Sequence, residues 1–451
     1  MSFSKDFVWG AATASYQIEG AACEDGKGLN IWDVFCKEPG KVLHMHHGDI
    51  ACDHYHSMEE DVKLMASLGL KAYRFSVSWS RILPNGTGEV CQAGIDFYNH
   101  LIDTLLKYGI IPYMTIYHWD LPYALHKKGG WLNDEIVNWF AEYATIISKN
   151  FSDRVKYFIT FNEPQVFVGL GYQMGEHAPG YKLGNFELLQ IGHNVLKAHG
   201  AASKALRENA SSPISIGMSM ASSPAIPISE NEADILAAYR DYGRADLSNF
   251  IFTDSYWLDP VMFGHYPDEV IKTCGHLMPK LSDVDMKLIH QPLDFVGANI
   301  YSGHYIKADE NGMPQGIPQK VGVPRTAIGW EITPDALYWG AKENYARYHI
   351  PYYITENGMS AHDTISLDGK VHDPNRIDYL HRYLHGLKRA ASENIPVAGY
   401  FTWSLMDNFE WAKGYTERFG LIYVDYETQK RTFKDSAYWY QSVIETNGIN
   451  L

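Results

Sequence analysis

Short apolar runs with strand character alternate with amphipathic helical patterns along the chain. After Ser57, a helical pattern with apolar residues on one face ends at Gly69, and the apolar run 71–79 follows at once. Glu60 lies three residues beyond Ser57, which predicts a capping box at the start of this helix. A second helical pattern ends near Gly109 and leads into another apolar run. The order helix, glycine, strand is typical of a parallel sheet, because each return crossover carries a covering helix.

The same pattern predicts eight strands in total. Their spacings are unequal, which argues against a solenoid and favours a closed barrel whose loops carry insertions. We therefore predict an α/β fold, a (β/α)8 TIM barrel, in which residues 1–451 form a single catalytic domain with extended βα loops. Residues 302–333 are rich in Gly and Pro and are predicted as a long surface loop. The predicted strands begin near Val8, Ala72, Ile111, Val155, Ile214, Phe295, Tyr352 and Gly399.

Composition limits the classes of partner. The formal net charge is −15, so nucleic acid and anionic membranes are not expected to bind, since both polyanions require a basic footprint. The five cysteines contain no Cys-x-x-Cys pair, which argues against a disulfide scaffold or a zinc ribbon. No signal peptide and no run of about 18 apolar residues is visible, which predicts a cytoplasmic location without a membrane span.

Polar and aromatic residues follow several of the predicted strands. In a βα barrel the ligand site lies at the carboxyl ends of the strands, so these residues are the candidates for a functional site. The candidates are Gln17, Glu19, Arg74, His118, Trp119, Asn162, Glu163, Asn299, Tyr301, Glu356, Asn357, Trp403, Glu410 and Trp411.

Two of the strand ends carry a glutamate in apolar surroundings. Glu163 lies in YFITFNEP and Glu356 in YYITENG. A salt bridge at the strand end is the alternative reading for each glutamate, because burial of an unpaired carboxylate is costly. Hydrolysis of a glycosidic bond needs one carboxyl group as proton donor and a second as nucleophile or base, and these two residues provide such a pair.

Seven motifs identify a family resemblance over essentially the full length. They are FVWGAATASYQIEG at 7–20, YRFSVSWSRI at 73–82, YHWDLP at 117–122, TFNEP at 160–164, GEHAPG at 175–180, ITENG at 354–358 and WSLMDNFEW at 403–411. In this order they resemble glycoside hydrolase family 1, the β-glucosidase family. Gln165 departs from the pattern, since many members have Trp after the NEP motif, and this difference bears on the preference for the leaving group.

The resemblance implies a retaining double displacement, with Glu163 as acid/base and Glu356 as nucleophile. Retention requires the two carboxyl groups to lie about 5 Å apart. At that distance their mutual repulsion allows only one of them to be ionised at rest. Arg74 and Tyr301 are expected beside Glu356 and favour its charged form, so that Glu163 holds the proton.

The resemblance also implies the residues that bind the sugar. Asn162 is expected at the 2-hydroxyl, and Trp403 is expected as the platform under the ring. Trp330 is expected either as a platform for the leaving group or as a cover of the barrel rim, and Asn299 either supports Tyr301 or only packs. The implied substrate-binding residues are Gln17, His118, Trp119, Trp330, Trp403, Glu410 and Trp411.

The implied activity is an exo-acting β-glucosidase that removes terminal β-glucosyl residues, and also β-galactosyl or β-fucosyl residues, from short oligosaccharides such as cellobiose and from aryl glycosides. Small-molecule β-glycosides are the expected partners, and no cofactor is expected. The histidines within 44–56 are interpreted as a solvated loop and structural sequence, so no metal is expected. The sequence leaves homo-oligomerisation open.

Two alternative functions remain. One is a 6-phospho-β-glycosidase, which a carboxylate at Glu410 disfavours, and the other is a catalytically silent sugar-binding protein.

Overall fold

A closed barrel of eight parallel strands forms the centre of the computed structural model, which describes residues 3–451. Every strand predicted from the sequence is present in it, with starts within two residues of the predicted positions. Around the barrel the strands follow their order in the chain, and the first strand, at residues 8–12, pairs with the last, at residues 397–403, to close it. The barrel strands are β1 (Val8–Ala12), β2 (Ala72–Ser76), β3 (Ile111–Thr115), β4 (Tyr157–Asn162), β5 (Ser215–Ala221), β7 (Phe295–Asn299), β10 (Tyr352–Asn357) and β11 (Val397–Trp403).

Helices cover the outside of the barrel and extend its loops. The longest of them, at residues 185–209, packs along the helix at residues 136–151. No helix among residues 3–451 is both long enough and apolar enough to cross a membrane. The helices are α1 (Ser15–Ile18), α2 (Ile31–Phe35), α3 (His54–Ser67), α4 (Trp79–Ile82), α5 (Gln92–Lys107), α6 (Tyr123–His126), α7 (Ile136–Phe151), α8 (Pro164–Val168), α9 (Asn185–Asn209), α10 (Glu232–Tyr242), α11 (Asp254–Phe263), α12 (Asp268–Cys274), α13 (Asp283–Ile289), α14 (Ala336–Tyr348), α15 (Pro374–Ser392) and α16 (Asp435–Glu445).

The capping box predicted at Ser57 is wrong, because α3 begins one turn earlier. Asp53 precedes its first residue, and the backbone N–H of Ser57 already donates to the carbonyl of Asp53. The Asp53 carboxylate contacts the His56 ring at 2.6 Å and does not cap the helix. The predicted end is confirmed: Gly69 adopts φ +71°, a left-handed conformation that a side chain disfavours.

The segment 302–333 is more ordered than the sequence predicted. It contains β8 (His304–Ala308) and β9 (Pro314–Ile317), which pair as an antiparallel hairpin, and β8 also pairs in parallel with β6 (Ala225–Pro227). These strands are short and largely exposed, so they show no apolar alternation that could have predicted them. Residues 318–333 have no regular structure and lead to the barrel rim. A separate hairpin joins β12 (Ile422–Val424) and β13 (Arg431–Phe433).

Aromatic side chains fill the barrel interior and pack directly against glycines of the barrel strands. A Cβ atom added at Gly10 would meet the Phe401 ring at 2.5 Å, and one added at Gly217 would meet the Phe295 ring at 2.2 Å. The two glycines therefore provide the space for rings inside the closed sheet, where interior packing is dense. Because all eight strands run in one direction, their carboxyl ends meet at the same rim, and the loops that follow them surround one cavity.

Candidate active site

Glu163 and Glu356 line the same cavity, which has a volume of about 960 Å³. Glu356 belongs to β10, whereas Glu163 directly follows β4 and precedes α8. Both side chains are buried, with 3% and 7% exposure for Glu356 and Glu163 respectively. Two carboxyl groups with almost no contact with bulk water are costly to place, so their environment decides which of them is charged.

The Glu356 carboxylate has a cation and a phenol as partners. Arg74 Nη1 donates to Glu356 Oε1 at 2.5 Å, and the Tyr301 hydroxyl donates to Glu356 Oε2 at 2.7 Å. Burial raises the pKa of Glu356, while Arg74 and Tyr301 act in the opposite direction because both stabilise the carboxylate. Burial and the adjacent Glu356 charge raise the pKa of Tyr301 well above its usual range, so its phenol remains a donor.

The Glu163 carboxyl has a neutral partner. The Asn299 amide donates to Glu163 Oε1 at 2.9 Å, and Glu163 forms no ion pair within 4.0 Å among the described residues. Burial, and secondarily the charge of Glu356, raise the pKa of Glu163 to about 8. The two carboxyl groups thus differ as a proton donor and a nucleophile must: one is held neutral and the other is paired with a cation.

The backbone at Glu163 is in the left-handed region. Its φ is +49°, a conformation that costs a non-glycine residue about 1–2 kcal/mol. The N–H of Glu163 donates to the Ser219 carbonyl at 2.8 Å, which connects this turn to β5. Trp119 and Trp411, with φ values of +73° and +46°, are also left-handed and line the same cavity. Such conformations cluster at ligand sites, where the surrounding fold holds them.

Asn299 contacts the acid side of the pair. Besides Glu163, its amide donates to Asn162 Oδ1 at 3.0 Å, and its own oxygen accepts from Thr355 Oγ1 at 2.7 Å. The expectation that Asn299 supports Tyr301 is therefore wrong. Tyr301 follows Asn299 by only two residues, but its phenol donates to Glu356, the other carboxylate.

Asn162 connects the charged pair to a neutral histidine. Its side-chain oxygen accepts from Arg74 Nη2 at 2.6 Å, and its amide lies 3.0 Å from His118 Nε2. Burial, and then Arg74, lower the pKa of His118 well below its usual range, so the ring is neutral. The indole N–H of Trp119 donates to the Asn162 carbonyl at 2.9 Å. The remaining ring nitrogen of His118 has no hydrogen-bond partner among residues 3–451.

Gln17 and Glu410 lie together at another side of the cavity. Gln17 Nε2 donates to the Phe409 carbonyl at 2.8 Å and reaches Glu410 Oε2 at 3.5 Å. Gln17 is fully buried, whereas Glu410 lines the cavity. Burial, then the charges of Glu356 and Glu417, raise the pKa of Glu410 to about 8. This carboxyl therefore carries less charge at neutral pH than a typical glutamate.

Four tryptophans, Trp119, Trp330, Trp403 and Trp411, form aromatic walls of the cavity. Trp403 lies 6.0 Å from the His118 ring and Trp411 lies 4.5 Å from Trp119, in each case between ring centroids. Trp330 lies 4.9 Å from the Tyr301 ring at the part of the wall made by the long loop. Flat apolar surfaces beside hydrogen-bonding groups are suited to a sugar ring, which has apolar faces and polar edges.

Some residues that the sequence selected lie outside this cavity. Glu19 forms a buried ion pair with Arg81 at 3.0 Å, and Asn357 donates to the Ile300 carbonyl at 2.7 Å. Both are structural contacts next to the site. No group of three or more His, Cys, Asp or Glu side chains in the described part of the chain is arranged to hold a metal ion.

Gln165 points away from the cavity and is fully buried. Its amide donates to Asp254 Oδ1 at 2.8 Å, and its oxygen accepts from the Ala221 N–H at 3.2 Å. Asp254 also accepts from the Ser222 hydroxyl at 2.6 Å. This network connects α8 to the end of β5, and Ala221 and Ser222 line the cavity. No sequence pattern indicates Asp254, because its partners Gln165 and Ser222 lie far from it along the chain.

Comparisons with known proteins agree with the geometry. A sequence model described as Glycosyl hydrolase family 1 matches residues 1–449. A 1,4-beta-D-glucan glucohydrolase of Thermotoga neapolitana is 48% identical over 450 residues, which are 99% of each chain. Beta-glucosidase A of Thermotoga maritima is 48% identical over an alignment of 453 positions, which covers 99% of this chain and 98% of that protein.

A solved structure shares both the fold and the sequence. It is a beta-glucosidase from Thermotoga maritima in complex with glucoimidazole, with a TM-score of 0.91 and 47% identity, covering 99% of this chain and 100% of that one. Identity at this level over the whole length shows common ancestry. The chain therefore belongs to glycosyl hydrolase family 1 and is a retaining glycoside hydrolase.

Proposed function

We propose that this enzyme is an exo-acting β-glucosidase, formed by one catalytic domain over residues 1–451, that hydrolyses terminal β-glucosyl residues through a covalent glycosyl-enzyme intermediate. The main support is the asymmetry of the two carboxyl groups. Glu356 is paired with Arg74, which suits a charged nucleophile, whereas burial raises the pKa of Glu163 to about 8, which suits a proton donor. The names of the Thermotoga relatives support glucose as the sugar.

In the first step, Glu356 attacks the anomeric carbon while the bond to the leaving oxygen breaks. Glu163 gives its proton to that oxygen, so the leaving group departs as an alcohol. Glu356 then carries an ester and no charge. Because the Glu356 charge helps to raise the pKa of Glu163, its loss lowers that pKa and turns Glu163 into a base.

In the second step, a water molecule gives a proton to Glu163 and its oxygen attacks the anomeric carbon. The ester bond to Glu356 breaks, the product keeps the β configuration, and both carboxyl groups return to their starting states. Tyr301 and Arg74 stabilise the departing carboxylate, since both donate to it. Asn162 and His118 are neutral hydrogen-bonding groups suited to sugar hydroxyls, and we assign the 2-hydroxyl to Asn162.

We further propose that Gln17, Glu410 and Trp411 hold the more distant hydroxyls, that Trp119 and Trp403 pack against the ring, and that Trp330 contacts the leaving group. Galactosyl and fucosyl glycosides differ from glucosyl glycosides at the 4- and 6-positions, so their acceptance depends on this set. A 6-phospho-β-glycosidase is the second candidate. We favour the unphosphorylated sugar, because Glu410 contacts Gln17 and forms no ion pair within 4.0 Å among the described residues.

Azide rescue of a nucleophile variant tests the proposal. Glu356→Ala should lower the hydrolysis of 4-nitrophenyl β-glucoside by roughly 10⁴-fold or more, as removal of a covalent catalyst does. Azide fits the space that is left and should give α-glucosyl azide. In Glu163→Ala, azide should instead give the β product, because the ester intermediate still forms. Undiminished hydrolysis by Glu356→Ala, or the same azide anomer from both variants, would refute the assignment.

A further inference from the structure

Three lysines surround the outer part of the cavity. Lys41, Lys182 and Lys413 come from separate loops and line the same cavity as the two catalytic glutamates. None of the three forms an ion pair within 4.0 Å of a carboxylate in the described chain, so their charges are not neutralised by a neighbouring acid. Glu176 is an exposed acidic residue that lines the cavity in the same region. Glu163, Glu356 and Glu410 also line this cavity, but the pKa of Glu163 and that of Glu410 are raised to about 8, which reduces their negative charge at neutral pH. The outer part, where three cations face one acid, is therefore locally positive on a chain whose net charge is −15.

The positions of these lysines are set by neighbouring residues. Lys41 lies 5.4 Å from the centre of the Phe35 ring, which holds it beside the loop at Gly180. Lys413 is two residues beyond Trp411, one of the aromatic walls. Burial, and then the charge of Lys413, lower the pKa of His177 to about 3, so this charge acts on a group that lines the cavity.

A second hollow continues outward from the cavity at the same place. It has a volume of about 390 Å³ and is lined by residues 40–45 with 412 and 413. Gly40, Lys41, Ala412 and Lys413 line both hollows, so two of the three lysines flank the junction. A ligand that extends beyond the deep part of the cavity therefore passes between cations that have no carboxylate partner in the described chain.

We propose that Lys41, Lys182 and Lys413, here called the lysine rim, bind a carboxylate carried by the leaving group. The inference rests on the proposed function: the glycosyl group occupies the deep end with Glu163 and Glu356, so the leaving group occupies the outer part. The favoured substrates are then β-glucosides of aromatic acids or of uronic acids. A local cluster of cations attracts an anion over about a Debye length, even when the distant charge of the protein is negative.

A matched pair of aryl glucosides measures this preference. The neutral substrate is 4-nitrophenyl β-glucoside, and the anionic one is the β-glucoside of 5-hydroxy-2-nitrobenzoic acid, which keeps the nitro group para to the glycosidic oxygen. The quantity of interest is the ratio of kcat/KM for the anionic substrate to kcat/KM for the neutral one. Cellobiose and glucosyl-β-1,4-glucuronic acid form a second pair, which separates uronic acids from aromatic acids.

In the wild-type enzyme this ratio should favour the anionic substrate. In the triple variant Lys41→Gln, Lys182→Gln, Lys413→Gln it should fall about tenfold, because the loss of each exposed charge should lower it by roughly two- to threefold. The control is Lys107→Gln, which removes one exposed positive charge at the end of α5, on the side of the barrel away from the cavity. It should leave the ratio unchanged. Raising the salt concentration from about 0.05 M to about 0.5 M should lower the wild-type ratio, because screening weakens the attraction.

Two results would overturn the proposal: a wild-type ratio that shows no preference for the anion in either substrate pair, or a preference that persists in the triple variant. If the triple variant does not fold, the three single substitutions and the salt dependence of the wild-type enzyme give the same answer. Hydrolysis of the neutral substrates tests the proposed function separately. An enzyme that hydrolyses them without any preference would refute the lysine rim alone.

Discussion

The Arg74 guanidinium contacts both the Glu356 carboxylate and the Asn162 side-chain oxygen, at 2.5 Å and 2.6 Å respectively. It is itself 1% exposed, so the barrel holds a buried cation in place before any substrate arrives. One side chain thereby sets the charge of the proposed nucleophile and the orientation of a neighbour that we assign to the 2-hydroxyl. The cost of burying it is offset only if its partners remain charged or polar.

Replacing Arg74 with Met should shift the acidic side of the pH profile. Without the cation, the pKa of Glu356 rises further. As the pH is lowered, the carboxylate is therefore protonated, and the enzyme inactivated, at a higher pH than in the wild type. We expect kcat/KM for 4-nitrophenyl β-glucoside to fall roughly 10²- to 10³-fold, as for the loss of a preorganised electrostatic donor, with its acidic limb moved to higher pH.

Arg81→Met is the matched control for this experiment. Arg81 is also buried and forms an ion pair with Glu19 at 3.0 Å, but neither residue lines the cavity. Its replacement should lower the free energy of unfolding and leave the position of the acidic limb unchanged. An acidic limb that moves equally in both variants would show that Arg74 acts through stability alone.

The alkaline side of the pH profile should depend on Glu163. An acid must be protonated to act, so kcat/KM for cellobiose should fall as the pH rises through the pKa of Glu163, about 8. The fall should approach tenfold for each pH unit above that value. In Glu163→Gln this limb should disappear from the residual activity, since no proton remains to be lost.

Glu410 is an alternative cause of the loss of activity at alkaline pH, because its pKa is also raised to about 8. Glu410→Gln should weaken substrate binding and keep the alkaline limb if Glu163 is the acid. If Glu410→Gln removes the limb and Glu163→Gln keeps it, the assignment of the acid is wrong. The two variants together therefore decide between two carboxyl groups with similarly raised pKa values, which the pH profile of the wild-type enzyme cannot separate.

The barrel and the two glutamates could be predicted because their signals are local. Alternation of amphipathic helical patterns with short apolar runs marks the barrel units, and the motifs around Glu163 and Glu356 lie within a few residues of a strand end. The start of α3 was misplaced because Asp53 adopts a left-handed φ of +49° that no sequence pattern specifies. Short-range patterns thus predict the elements better than their ends.

The rest of the site depends on contacts between distant parts of the chain. The sequence predicts that Asn299 supports Tyr301, two residues further along, or only packs, but the Asn299 amide donates to Glu163 whereas the Tyr301 phenol donates to Glu356. The three lysines of the lysine rim come from loops that meet only once the barrel has closed. No periodicity connects such residues, so only the folded structure brings them together.

A phosphate on the 6-hydroxyl should be rejected. The group would lie beside Glu410, which forms no ion pair within 4.0 Å among the described residues, and would be repelled by the charge of Glu356. An anion without a paired cation in such a site costs several kcal/mol, or roughly 10²-fold or more in kcat/KM. Protonation of Glu410, with its pKa of about 8, removes its own charge but supplies no cation. Comparison of cellobiose with cellobiose phosphorylated on the 6-hydroxyl of its non-reducing glucose checks the expectation. A higher kcat/KM for the phosphorylated sugar would favour the 6-phospho-β-glycosidase instead.

Gln165 should stabilise the turn that carries Glu163. Replacement with Leu keeps the approximate size but leaves Asp254 Oδ1 without one donor and the Ala221 N–H without its acceptor. Each buried group left unpaired costs about 1–3 kcal/mol, so the free energy of unfolding should fall by roughly 2–5 kcal/mol. Gln92→Leu is the control, because Gln92 is exposed and bonds the exposed Asp96 carboxylate, so that its loss should cost less than about 0.5 kcal/mol.

A double-mutant cycle with Asp254→Asn separates this network from unspecific damage. Asp254 accepts hydrogen bonds from Gln165, from Ser222 and from Tyr242, and an asparagine can accept at only one of its two terminal atoms. The costs of Gln165→Leu and Asp254→Asn should therefore be less than additive when combined, since each breaks the same bond. Denaturant unfolding measures the three free energies. Strict additivity would show that the two residues stabilise α8 and the end of β5 independently.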